Sequence, residues 1–198
     1  WESQPSMGSD GRSLYFVRGQ RMRDGVKGMD IYVTRLQDDG SFSKPEKVRG
    51  QVNTPMQEES PQIHPDGRTL YFSSDGHAGM GGLDIFVSRM QEDSTWSKPQ
   101  NLGYPINTNA DENSLLVSAD GKIAYFASDR PGGVGDLDLY GFELYEQVRP
   151  QAVSFVRGKV YDKETKAALE ADVMLYDLST GALATAAYSD PSTGEFLV

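Results

Sequence analysis

Carboxylates are the chain's most abundant reactive side chains: 29 Asp and Glu stand against 19 Lys and Arg in 198 residues. Two of them at the right separation could divide the roles of general acid and general base, and several with nearby carbonyl oxygens could hold Ca²⁺. Their spacing points elsewhere. Asp10, Asp66 and Asp120 each stand directly before a glycine, Gly11, Gly67 and Gly121, while Asp30, Asp84 and Asp138 follow one another at intervals of 54 residues. A reactive centre gathers different groups from different places, whereas an acid that returns at a fixed interval serves something every repeat contains. Asp-Gly is turn chemistry: the Asp side chain caps the reversal and Gly takes the positive φ it needs. Asp30, Asp84 and Asp138 head β-favouring runs, where a carboxylate accepts hydrogen bonds from loop N–H groups. All six are expected to be structural, and the chain is expected not to be an enzyme and to have no catalytic residue.

Glu58-Glu59 and Asp111-Glu112 are acidic pairs at matched positions. They are weak candidates for Ca²⁺ coordination, against the plainer reading of a solvated acidic edge, which is adopted with no metal and no cofactor expected. The glycine-rich stretches at 79–82 and 132–135 lack the Lys-Ser/Thr ending and following helix of a phosphate cradle, so they read as hairpin loops. His64 and His77 are the only histidines and have no partner motif for zinc or for a serine triad, and no Gly-x-Ser-x-Gly elbow occurs. Trp96 and Phe42 could stack a ligand, but their place on repeating strands makes them packing residues first. With no cysteine, disulfides and thiolate chemistry are excluded, and a net charge of −10 makes nucleic acid and anionic membrane faces poor partners.

The elements that position these groups are written as a repeat. Ser9-Asp10-Gly11-Arg12-Ser13-Leu14-Tyr15-Phe16 returns as Pro65-Asp66-Gly67-Arg68-Thr69-Leu70-Tyr71-Phe72 and as Ala119-Asp120-Gly121-Lys122-Ile123-Ala124-Tyr125-Phe126. This phrase recurs after 56 and then 54 residues, so two extra residues lie between Tyr15 and Asp30 and the first hairpin should differ in shape. Each copy offers a strand before the Asp-Gly turn, one after it, one beginning at Asp84 or its equivalents, and a closing segment at 95–99 matched at 41–45. No helical period intervenes. Four antiparallel strands per repeat make the blade of a β-propeller. The third copy lacks its closing strand, because the position 54 residues after Trp96 is Pro150.

The Pro-Asp-Gly turn, the aromatic pair after it, and Ser128-Asp129-Arg130-Pro131-Gly132-Gly133 leading to Asp138-Leu139-Tyr140 resemble the WD-like propeller repeats of TolB-type periplasmic proteins. Beyond residue 152 the grammar changes. Gly158-Lys159-Val160, Thr165, the run 171–177 and Gly194-Glu195-Phe196 resemble the start of a carboxypeptidase-regulatory-like, transthyretin-like β-sandwich. The expected class is therefore all-β: a partial β-propeller of three four-stranded blades, the last incomplete, over 1–146, a linker at 147–152, and a truncated sandwich over 153–198. Three blades are fewer than closed propellers use, and Trp1 is no natural start, so earlier blades are expected in a longer protein.

Such blades followed by such a sandwich resemble the OmpA-family envelope lipoproteins, in particular the PorE type of the type IX secretion system. The resemblance implies a non-catalytic scaffold in the periplasm, associated with the outer membrane. Its partners would be other envelope or secretion-system proteins, with peptidoglycan bound only through a domain absent from this chain. The alternatives are an accessory propeller of a serine peptidase and a glycan- or peptide-binding propeller. No apolar run approaches the ~18 residues that cross a bilayer, so no transmembrane segment is expected here.

Overall fold

The computed structural model describes residues 1–23 and 25–198. It divides into two compact units, Trp1–Val153 and Ser154–Val198. In the first, each repeat is an antiparallel sheet. The first blade is β1 (Glu2–Met7), β2 (Ser13–Met22), β3 (Gly25–Arg35) and β4 (Glu46–Lys47); the second is β5 (Glu58–Ile63), β6 (Thr69–Ser74), β7 (Asp84–Arg89) and β8 (Gln100–Asn101). The third has three strands, β9 (Glu112–Val117), β10 (Ile123–Ser128) and β11 (Asp138–Glu143). The unit is thus a partial propeller whose sheets do not close into a ring.

The blades stack through two apolar cores. Tyr15 and Ile31 of the first blade meet Leu70, Phe72, Phe86 and Trp96 of the second; on the second blade's other face, Tyr71, Ile85 and Val87 meet Leu115, Ala124 and Phe126 of the third. A middle blade is covered on both sides, so β6 is buried at every position. This explains why Leu70-Tyr71-Phe72 is a continuous apolar run rather than an alternation.

Two sequence expectations are corrected. The closing strands are the pairs Glu46–Lys47 and Gln100–Asn101, just beyond 41–45 and 95–99, which are instead irregular and carry the isolated bridges Leu36 to Phe42 and Met90 to Trp96. Residues 147–152 are not a free linker. Leu144 and Val148, the latter in the single-turn 3-10 helix Glu146–Val148, are fully buried in the core between the second and third blades. The Tyr71 hydroxyl donates to the Val148 carbonyl at 2.6 Å, and the unit boundary therefore falls at 153/154. The chain after β11 fills that core instead of adding a fourth strand.

The two extra residues of the first repeat lengthen its hairpin. Pairing continues past Arg18–Asp30 through a bulge to Gln20–Lys27, Arg21–Val26 and Met22–Gly25, whereas the second blade's pairing stops at Ser74–Asp84. A bulge absorbs inserted residues while preserving the register on either side.

In the second unit β12 (Arg157–Lys159) pairs with β15 (Glu195–Leu197), and β13 (Asp172–Tyr176) pairs with β14 (Leu183–Tyr188). The strand expected to begin at residue 153 is confined to Arg157–Lys159, followed by a Tyr161–Ala168 bridge. Asp162, Asp177 and Asp190 cap its turns, each accepting the backbone N–H groups two and three residues on. Among the described residues no helix is long and apolar enough to cross a membrane.

Candidate functional site

The carboxylates before Gly11, Gly67 and Gly121 close the turns after β1, β5 and β9. Asp10 Oδ1 accepts the N–H groups of Arg12 and Ser13 at 2.9 and 2.8 Å, and Asp66 Oδ1 those of Arg68 and Thr69, both at 2.9 Å. The three glycines sit at φ 64°, 67° and 72°, the left-handed region a side chain resists. In the first two blades the second carboxylate oxygen takes a hydroxyl, Ser13 at 2.6 Å and Thr69 at 2.7 Å, which in turn accepts from Arg35 and Arg89 on the third strand. The third blade has Ile123 and Glu143 at those two places, and Asp120 instead accepts the Ser118 hydroxyl and the Lys122 N–H. Burial opposes ionisation of Asp66, but His64, the Arg68 and Gln151 N–H groups and the Thr69 hydroxyl outweigh it and hold the carboxyl well below the usual range.

At the opposite end of the blades, Asp84 and Asp138 gather the glycine-rich loops. Asp84 Oδ2 accepts from Met80 N at 2.7 Å and Gly81 N at 3.2 Å; Asp138 Oδ2 accepts from Val134 N and Gly135 N at 2.8 and 3.2 Å. Asp30 differs, because the longer first hairpin brings no such loop and its carboxylate pairs with Lys47 Nζ at 2.7 Å. Burial pushes the Asp84 carboxyl up; the two loop N–H groups oppose this, and Glu112 and Asp111 reinforce it.

The acidic pairs are divided: one glutamate of each is buried rather than solvated, while Glu59 is half-buried and Asp111 is exposed. Glu58 and Glu112 are fully buried. Glu58 accepts Thr54 N at 2.8 Å, Thr54 Oγ1 at 2.7 Å and Ser74 Oγ at 2.8 Å. Glu112 accepts Thr108 N at 2.9 Å, Thr108 Oγ1 at 2.6 Å and Ser128 Oγ at 3.0 Å, and pairs with Arg130 at 3.1 Å. Their oxygens are filled by donors that a hard cation would have to displace. Asp111 Oδ1 accepts from Leu83 N at 2.8 Å. Among the described residues no three His, Asp or Glu side chains gather as metal ligands.

Two further devices escaped the sequence reading. Asn53 and Asn107 each clasp one residue of the third strand through both its backbone groups: Oδ1 accepts from Ile31 N or Ile85 N, and Nδ2 donates to the same residue's carbonyl, all within 3.0 Å. With the glutamates they form Asn-Thr-x-x-x-Glu at 53–58 and 107–112, a repetition that was visible in the sequence. Each blade also places a cation or imidazole against its aromatic pair: Arg18 with Phe16 and Tyr32, His77 with Phe72 and Phe86, Arg130 with Phe126 and Tyr140, the last at 4.8 Å from both rings. The other histidine joins blades. His64 Nε2 lies 3.1 Å from the Ser118 carbonyl of the next blade, and Nδ1 lies 3.1 Å from Asp66 N.

Trp96 packs edge-on to Tyr15 with ring centres 6.1 Å apart, and its backbone N–H donates to the Arg49 carbonyl. Gly50 lies at φ 106° against the Trp96 backbone, where a Cβ would strike the carbonyl. On the innermost strands Gln4, Ser60 and Ser114 share one bulge position at φ 53°, 49° and 57°, a conformation costing about 1–3 kcal/mol apiece. They link the blades: Ser60 N donates to Gln4 Oε1 at 2.9 Å, and the hydroxyls of Ser60 and Ser114 lie 3.4 Å apart.

Chemically, the assembly offers a rigid stack with Asp-capped turns at one end and glycine-rich loops at the other. Exposed Met22, Met80 and Val134 stand at or near the tips of the hairpins between second and third strands.

No protein-family model and no curated protein matches the chain. Among solved structures it is similar to TolB from Acinetobacter baumannii, a β-propeller, at 16% identity and a TM-score of 0.44 over 92% of this chain and 42% of that one. It is also similar to a GH43 endo-arabinanase from Bacillus licheniformis, at 14% identity and 0.48 over 75% and 56%. A third likeness is to a puromycin hydrolase S511A mutant complexed with PGG, at 13% identity and 0.40 over 92% and 32%. The chain spans less than two thirds of each of these proteins.

Proposed function

We propose that the chain is a non-catalytic protein-interaction scaffold of the Gram-negative periplasm, associated with the outer membrane. The observation that carries this reading is the fate of the carboxylates. Asp10, Asp66, Asp84, Asp138, Glu58 and Glu112 each serve a turn, a loop or a buried strand end in their own or the adjoining repeat segment. Recurring acids committed in this way supply the precision of a scaffold rather than a centre where different groups meet. The rigid stack leaves its loops to meet partners, and apolar side chains near three hairpin tips suit protein contact.

The finer reading rests on the order of domains. WD-like blades followed by a regulatory-like sandwich favour a component of the type IX secretion system of the PorE type, an OmpA-family lipoprotein. There, peptidoglycan would be held by a domain outside this chain. Affinity capture from detergent-solubilised envelopes tests it: outer-membrane secretion proteins should be enriched on the chain. Turnover of peptide, arabinan or sialoside substrates by the purified protein would overturn it.

A further inference from the structure

The Asp-Gly end of the second blade carries a cationic pocket, in a chain whose net charge is −10. It measures about 350 Å³ and lies where that blade meets the segment after β11, lined in part by Arg68, Arg89, Arg149, Asp66, Met90 and Pro150. Arg68 is exposed, while Arg89 and Arg149 are half-buried.

The carboxylate in the wall does not neutralise these cations. Asp66 accepts the backbone N–H groups of Arg68, Thr69 and Gln151 and the Thr69 hydroxyl, and among the described residues it pairs with no arginine. Arg89 donates only to neutral oxygens, the Thr69 hydroxyl through Nη1 and the Arg149 carbonyl through Nη2. Its Nε–H and one N–H on each Nη are left for a ligand. Arg149 gives Nε to the Leu144 carbonyl and Nη2 to Glu143 at 2.9 Å.

The other blades lack this combination. In the first, Arg12 stands in the place of Arg68 and pairs with Asp38 at 2.7 Å. Glu92 holds the place of Asp38 in the second blade, and among the described residues it forms no ion pair with Arg68. In the third, Lys122 and Glu143 replace Arg68 and Arg89, so the two positions cancel in charge.

We propose that this pocket binds a peptide carboxylate, an acidic side chain or a chain end of a partner protein. A guanidinium presents paired N–H donors that match the two oxygens of a carboxylate. Three guanidinium groups against Asp66 and Glu143 leave one net positive charge, which a singly charged carboxylate answers and a doubly charged phosphate exceeds. Met90 and Pro150 offer an apolar wall to the stem that carries the carboxylate. The pocket lies at the end of the blades opposite the glycine-rich hairpins, so its ligand is independent of the partners those tips meet.

The test measures, by fluorescence anisotropy at low ionic strength, the binding of labelled amidated hexapeptides to the 198-residue chain, one rich in glutamate and one with glutamine in its place. The glutamate peptide should bind at least about tenfold more tightly. Arg68→Gln should weaken it about two- to fivefold with the unfolding midpoint unchanged, while Arg12→Gln at the matching turn leaves binding as it was. Arg89→Lys, which keeps the charge and loses the fork, should weaken it about tenfold. The glutamine peptide with a free C-terminus identifies the source: binding as tight as the glutamate peptide supports a chain end, and weaker binding an acidic side chain. Equal affinity for the two amidated peptides overturns the proposal. So does an Arg12→Gln loss as large as that of Arg68→Gln, or displacement of the peptide by inorganic phosphate at lower concentration than by acetate.

Discussion

Glu58 and Glu112 hold the same place in successive blades: each is fully buried, accepts the N–H and hydroxyl of a threonine four residues earlier, and accepts a serine hydroxyl sixteen residues later. A buried carboxylate saturated in this way fastens the connection between blades to the first and second strands of the next. Only Glu112 also answers a cation, Arg130, which lies against Phe126 and Tyr140.

That difference predicts unequal costs. Glu112→Ala removes the carboxylate facing a partly buried guanidinium, which keeps only the Pro105 and Ile106 carbonyls, the Ser128 hydroxyl and two rings, and strands two hydroxyls, so it should cost about 3–5 kcal/mol. Glu58→Ala strands only neutral donors and should cost about 1–3 kcal/mol. Denaturant midpoints with unchanged slopes would check both, and equal losses would show that Arg130 has no part in the difference.

Trp96 and Phe42 form a matched pair for measuring interblade burial. Trp96→Ala should destabilise the first unit by about 3–5 kcal/mol, while Phe42→Ala in the 198-residue chain should cost less than about 1 kcal/mol. Calorimetry of the two variants separates them.

Gly50→Ala tests the contact behind Trp96. The residue sits at φ 106° and its new methyl would meet the Trp96 carbonyl, so both backbone strain and collision oppose it. A loss of about 2 kcal/mol or more is expected, against about 1 kcal/mol for the strained but unobstructed Gly40 at φ 80°.

Stability should respond to acid in two opposite phases. Burial raises the Glu59 and Asp84 carboxyls, so the folded chain holds protons that the unfolded chain has lost; lowering the pH toward 4.5 and 3.8 respectively should stabilise. Asp66 is depressed, so its contribution is full above 3.8 and disappears as pH falls from there through its folded value. In the second unit Asp190, lowered to about 2 chiefly by the Ser192 hydroxyl, loses its contribution between 3.8 and about 2. Glu59→Gln should flatten the first phase and Asp66→Asn the second, read from unfolding midpoints between pH 7 and 2.

Much of this architecture was legible in the sequence because it is local and repeated. The Asp-Gly turns, the strands Glu58–Ile63, Thr69–Ser74 and Glu112–Val117, and the altered first hairpin follow from spacing alone. What escaped depends on distant contacts. Nothing near Val148 announces that it fills a core, because the hydroxyl that receives it belongs to Tyr71. Glu58 and Glu112 look solvated beside their acidic neighbours until Thr54 and Thr108 are seen to recur with them. Asp30 belongs to the aspartate series by spacing, yet the lengthened hairpin gives it Lys47 instead of loop N–H groups.

The most direct test of the scaffold account is quantitative capture from detergent-solubilised envelopes, comparing the 198-residue chain with a variant changed to Ser at Met22, Met80 and Val134. The account predicts enrichment of outer-membrane secretion proteins on the unaltered chain and its loss in the variant, with the two unfolding alike. No enrichment of such proteins on the unaltered chain would contradict it.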